Sequence, residues 1–147
     1  SPPDEVYFQT QAKAYLGQLD VLNQQIRAAL SSVPRAKRQI VVPHNAFKYW
    51  ARDFDIQVYS LQGISTGSEA SAAGFADLVR QIRARNIHAI FGENIADSRL
   101  IEQVANEAGI GLGGDLISGA LSASNAPTYL EMMRFNNNKI TEALLLD

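Results

Sequence analysis

Gln39-Ile40-Val41-Val42-Pro43 is an unbroken apolar run, and His44 closes it. A strand covered on one face alternates apolar and polar residues, whereas a continuous run expects cover on both faces, as in a parallel sheet packed between helices. Working outward, Ile56 to Leu61 and Ile87-His88-Ala89-Ile90-Phe91 read as two more strands. Ile110 to Ile117 contains a fourth, weakened by Gly111, Gly113 and Gly114. Helical segments fill the intervals. Residues 46 to 53 carry Phe47, Trp50 and Ala51 on one side, and residues 71 to 85 turn Phe75, Leu78, Val79 and Ile82 inward before Asn86 ends the helix. Asp97 or Ser98 can cap a helix whose stripe is Leu100, Ile101, Val104 and Ala108, with Gly109 as its stop. Thr128 and Glu131 form a capping box that opens a last helix to about Leu145, with Met133, Ile140 and Leu144 inward.

Ahead of the first strand, residues 4 to 31 predict one long amphipathic helix, with Tyr15, Leu19, Leu22, Ile26 and Leu30 at helical spacing. About seven turns is long for a globular helix, and such a helix often spans more than its own domain. The expected fold is α/β: three layers, with a four-stranded parallel sheet flanked by helices and preceded by a long N-terminal helix.

The chain has 147 residues, enough to bury a core without cross-links. It is 46% hydrophobic and 19% charged, with a net charge of -2 and no strongly basic stretch, which argues against nucleic acid as a partner. No apolar run is long enough to span a membrane, and none reads as a signal peptide. On that ground the chain is expected to be cytosolic, already processed, or a piece cut for expression. It contains no cysteine, which excludes disulfides, thiolate metal sites and cysteine nucleophiles.

Ligands of an open parallel sheet bind beyond the C-terminal ends of its strands. Three polar features fall there: His44 after the first strand, Glu93 after the third, and the segment Asp115 to Ser118 at the end of the fourth. An imidazole facing a carboxylate can bind a transition metal, act as an acid–base pair, or simply hydrogen-bond. His44 could equally order its loop, and Glu93 could be a charge favoured near a helix N-terminus. Gly111-Leu112-Gly113-Gly114 lacks the spacing of a phosphate loop. His88, Trp50 and Phe54 read as packing or surface positions, Ser65, Ser68 and Ser71 as loop and cap residues, and Arg80, Arg83 and Arg85 as a solvated helix face.

Val42-Pro43-His44-Asn45-Ala46-Phe47-Lys48-Tyr49 resembles the strand-then-HxAFxY segment of the zinc- and manganese-capturing solute-binding proteins, the extracytoplasmic receptors of bacterial metal ABC importers. Gln62-Gly63-Ile64-Ser65 with Ser68-Glu69-Ala70-Ser71 resembles their next loop, and Ala89-Ile90-Phe91-Gly92-Glu93-Asn94 their strand ending in Glu. Gly113-Gly114, Ala120-Leu121-Ser122, Pro127-Thr128-Tyr129-Leu130 and Met133-Arg134 are similar to their final strand, loop and helix. The likeness runs in order from about residue 5 to 145.

The resemblance implies a connector helix over residues 1–33 and a C-terminal receptor lobe over residues 34–147. It implies no enzymatic activity, a Zn2+ or Mn2+ cargo, and metal ligands at His44 and Glu93. An N-terminal lobe supplying a further ligand, and an ABC permease in the membrane, are the implied partners; a homodimer through the exposed lobe face is another. The implied location is periplasmic, or extracellular and membrane-anchored, and cell adhesion is a further association. A third C-lobe ligand of the family is an aspartate just before Ala-Leu-Ser; aligned on Ala120-Leu121-Ser122, that position is Gly119. Asp115, four residues earlier, reads as a solvated edge-strand residue rather than a substitute. Asn45 stands where many members have Asp, and Asn137-Asn138 is unusual in the last helix. Weak metal binding by this lobe is therefore expected. The rival expectations are a metal-free structural or interaction domain derived from the lobe, and a small α/β enzyme using His44 and Glu93 as acid and base.

Overall fold

The computed structural model describes residues 2–62, 71–95 and 97–146. The loop expected over residues 63–68 lies outside them, as do the family-like segments 62–65 and 68–71 apart from Gln62 and Ser71. The elements follow in the order α1 (Pro2–Ser31), a 3-10 turn (Arg35–Lys37), β1 (Gln39–His44), α2 (Lys48–Phe54), β2 (Gln57–Gln62), α3 (Ala72–Arg85), β3 (Ala89–Ile90), β4 (Gly92–Glu93), α4 (Arg99–Ala108), β5 (Asp115–Leu116) and α5 (Tyr129–Leu145).

All strand pairs are parallel. Ile40 pairs with Val58 on one side and Ala89 on the other, so β1 is the centre of a ladder ordered β2-β1-β3. The alternation within the apolar run assigns its faces. Ile40 and Val42 join Ala89 and Phe91 in a cluster with Leu22, Ile26 and Leu30 of α1 and Ile140 and Leu144 of α5. Val41 and Ile90 point the other way, into a cluster with Leu78, Val79 and Ile82 of α3 and Ile101 and Val104 of α4. Both faces are thus covered, which is why the run is continuous rather than alternating. The three layers are as expected.

The single four-stranded sheet is not. The third strand bonds to both neighbours around Phe91: the Phe91 N–H donates to Val41 O at 2.9 Å, while Ile90 O accepts from the Gly113 N–H at 2.7 Å and the Gly92 N–H donates to Gly114 O at 3.0 Å. Beyond that point β4 pairs only with β5, as Gly92 with Asp115 and Glu93 with Leu116, giving a three-stranded and a two-stranded ladder. Two glycines limit the length of the fourth strand. Gly114 has φ +88, outside the strand region. A Cβ on Gly113 would lie 2.6 Å from Phe91 Cε1, so this backbone passes against the Phe91 ring where a side chain has no room. The fourth strand accordingly shrinks from residues 110–117 to Asp115–Leu116.

Other expectations shift by a residue or two. Tyr15 is exposed while Leu22, Ile26 and Leu30 are buried, so only the second half of α1 lies on the core. From Asp4 to Gln18 every α1 residue is exposed, among them Val6, Tyr7, Phe8 and Leu16. Arg38 donates to Leu30 O and Val33 O, satisfying carbonyls at the helix end. Ser98 is the N-cap of α4, but its hydroxyl donates to Glu102. Asp97 instead accepts from the Arg99 N–H, and hydrogen bonds from the Arg99 side chain and backbone bring its carboxyl down to about 2. The Thr128–Glu131 capping box is present. Among the described residues, no helix is long and apolar enough to cross a membrane.

Candidate metal centre

The period-2 register that builds the core also builds the site. On the α1/α5 face, β1 reads Ile40, Val42, His44. The β3–β4 segment reads Ala89, Phe91, Glu93, and Leu116 of β5 is followed two residues on by Ser118. Each series of apolar residues ends in a polar one on the same face, at the C-terminal edge. His44, Glu93 and Ser118 converge there, and all three are buried.

Glu93 is the hub. Its side chain is 0% exposed, and that of His44 is 9% exposed. Glu93 Oε2 accepts from Ser118 Oγ at 2.5 Å, and Oε1 accepts from the His44 backbone N–H at 3.3 Å. His44 Nδ1 lies 2.9 Å from the same Oε1, yet without the alignment of a hydrogen bond. A buried ring nitrogen without an aligned partner, beside a buried carboxylate oxygen, suits a shared cation. Two atoms each about 2.1 Å from a tetrahedral Zn2+ would stand about 3.4 Å apart, so the pair would have to open by about 0.5 Å to share one.

Two asparagines hold the second ladder's loop. Asn94 accepts from the Ser118 N–H at 2.9 Å and donates to Ala120 O at 3.0 Å. Asn136, buried on α5, accepts from the Ile117 N–H and donates to Ile117 O, both at 2.8 Å. Sequence reasoning missed Asn94, Asn136 and the part played by the Ser118 hydroxyl. A signal existed for Asn136: it interrupts the apolar stripe between Met133 and Ile140. The oxygens of Asn45 and Asn137 are buried without a hydrogen-bond partner among the described residues.

The remaining sequence candidates do not join this site. Asp115 precedes Leu116 and so faces away from Glu93; it is exposed, and its carboxylate lies over Gly92, where a Cβ would meet Oδ1 at 2.2 Å. Gly119 is exposed with φ +58, and a Cβ there would lie 2.5 Å from Ile95 Cδ1. His88 is exposed. Arg80 pairs with Asp77, Arg83 with Glu107, and Arg85 stacks on Tyr59. No group of three or more His, Cys, Asp or Glu gathers among the described residues, where His44 and Glu93 stand as a pair. Beside the site, Ser118 and Gly119 border a cavity of about 460 Å3 lined by Ile26, Phe47, Trp50 and Met133.

The model of the family described as "ZnuA: Zinc-uptake complex component A periplasmic" matches residues 1–143. The chain belongs to this family. Among ZnuA-family relatives, the zinc-binding protein TroA of Treponema pallidum is 33% identical over 144 residues, covering 93% of this chain and 47% of TroA. The manganese-binding lipoprotein MntA of Bacillus subtilis is also 33% identical, with the same two coverages. The solved structure of T. pallidum TroA superposes with a TM-score of 0.92, at 33% identity over 97% of this chain and 54% of that one. A Mn-bound mutant of the periplasmic metal-binding protein from candidatus liberibacter asiaticus gives 0.90, at 28% identity over 99% and 54%. The ZnuA-family chain described here therefore spans about half the length of the curated relatives it matches.

Proposed function

We propose that the chain acts as the C-terminal lobe, with its connector helix, of an extracytoplasmic Zn2+ or Mn2+ receptor serving an ABC importer. The lobe catalyses no reaction. It contributes His44 and Glu93 to the metal, and the remaining donors come from a second lobe. The carrying observation is the buried His44–Glu93 pair at the C-terminal edge, 2.9 Å apart and not aligned for a hydrogen bond. The zinc and manganese named for TroA and MntA support the choice of cargo. Both metals accept imidazole nitrogen and carboxylate oxygen. In this reading residues 1–33 form the connector, its exposed first half facing the other lobe, and the receptor works in the periplasm or anchored outside the membrane.

Calorimetric titration of the chain with Zn(II) and Mn(II) at neutral pH tests the site. Weak binding that His44→Ala removes is expected; affinity unchanged in that variant overturns the assignment. Gly119→Asp should tighten binding by adding a carboxylate. Asp tolerates a left-handed backbone better than most residues, and only the end of the Ile95 side chain must move. The rival reading is a metal-free interaction domain, favoured by the bare Gly119 and the fully enclosed Glu93. A ligand of the folded state raises the melting temperature by mass action, so a midpoint unmoved by excess metal selects the rival.

A further inference from the structure

Glu93 has a partner whose role the metal reading leaves open. Ser118 Oγ sits 2.5 Å from Glu93 Oε2, the length of a hydrogen bond strengthened by a carboxylate charge. Ser118 holds Oε2 closely, and the His44 N–H reaches Oε1 at the longer distance of 3.3 Å, so the two contacts together aim the carboxylate. The oxygen beside His44 Nδ1 is Oε1. We propose that Ser118 is a positioning residue for the metal: its hydroxyl fixes the Glu93 carboxylate so that Oε1 and His44 Nδ1 present one donor pair. The inference rests on the reading of His44 and Glu93 as ligands.

The hydroxyl is itself held in place. Asn94 takes the Ser118 N–H, and Asn136 grips both polar groups of the preceding residue, Ile117. Asn136 stands on α5, in the helix that packs against α1. The orientation of Glu93 is thus set from two sides: the His44 N–H reaches Oε1, and a chain of contacts from α5 through Ile117 and Ser118 holds Oε2 beyond the end of β5 at Leu116. Partners of this kind around a metal site typically change affinity 10- to 100-fold when removed.

The test measures Zn(II) affinity by calorimetry and the metal-free melting temperature for the unaltered chain, Ser118→Ala, Ser118→Thr and His44→Ala. Ser118→Ala is expected to weaken binding by about 10- to 100-fold, and Ser118→Thr, which keeps the hydroxyl, to restore it to within about 3-fold. Rescue that tracks the hydroxyl, rather than the melting temperature, identifies positioning. If Ser118→Ala fails to fold, Ser118→Thr is set against Ser118→Val, which has the shape of Thr without its hydroxyl; equal affinity in those two overturns the proposal. Unchanged affinity in Ser118→Ala, with His44→Ala still impaired, overturns the role of Ser118 alone. No binding by the unaltered chain, or none lost in His44→Ala, overturns the ligand reading and this proposal with it.

Discussion

The two ladders of this fold share one hydrocarbon core, through Leu116 in the second, but differ in how the chain around them is fastened. In β2-β1-β3 the centre is hydrocarbon: Ile40, Val41, Val42 and Ile90 have no exposed surface, and helices cover both sides. In β4-β5 only two residue pairs bond, and the chain beyond them is fastened by Asn94, Asn136 and Ser118. Apolar burial is roughly proportional to area and has no direction, so it tolerates small shifts. Hydrogen bonds fix angle as well as distance. The edge that carries the Glu93 carboxylate is the one fastened by side-chain hydrogen bonds, so there direction is fixed as well as burial.

Mutations can break that contrast. Ile90→Ala should cost about 2–5 kcal/mol in denaturant unfolding through lost burial and a cavity. Asn136→Ala should approach that, at about 2–4 kcal/mol, although it removes little hydrocarbon, because both polar groups of buried Ile117 lose their partner. An Asn136→Ala loss under about 0.5 kcal/mol would mean that the second ladder does not depend on side-chain amides. Gly113→Ala drives a methyl against the Phe91 ring and should cost about 1–3 kcal/mol, read in the same way. The smallest effect is expected outside both ladders. Gly17 lies inside α1 with nothing within 4 Å of a built Cβ, so Gly17→Ala should stabilise by about 0.5–1 kcal/mol. A loss there would mean that the exposed half of α1 makes contacts through this position.

Much of this was legible before any coordinates. The run at residues 39–43 announces a strand covered on both sides, and the Thr128–Glu131 box and the Gly109 stop mark helix ends through strictly local chemistry. His44 and Glu93 could be placed on one edge because parallel strands share a direction. The split of the sheet was less legible. Gly111, Gly113 and Gly114 advertise a weak strand, but how little of it remains paired depends on the close approach of Gly113 to the Phe91 ring. Tyr15 misled for a related reason: helical spacing shows which residues share a face, not how far along the helix the core extends.

What the sequence determined by itself is therefore local and periodic: the order of strands and helices, the caps, the chemistry available at each strand end, and the glycine standing at position 119. What only the tertiary structure decided is pairing across distance. It sets Glu93 beside His44, 49 residues away, gives its other oxygen to Ser118, and turns Asp115 to the opposite face. The physical reason is that a hydrogen bond is specified within a few tenths of an ångström and a limited angle, while sequence spacing fixes only the element and the face.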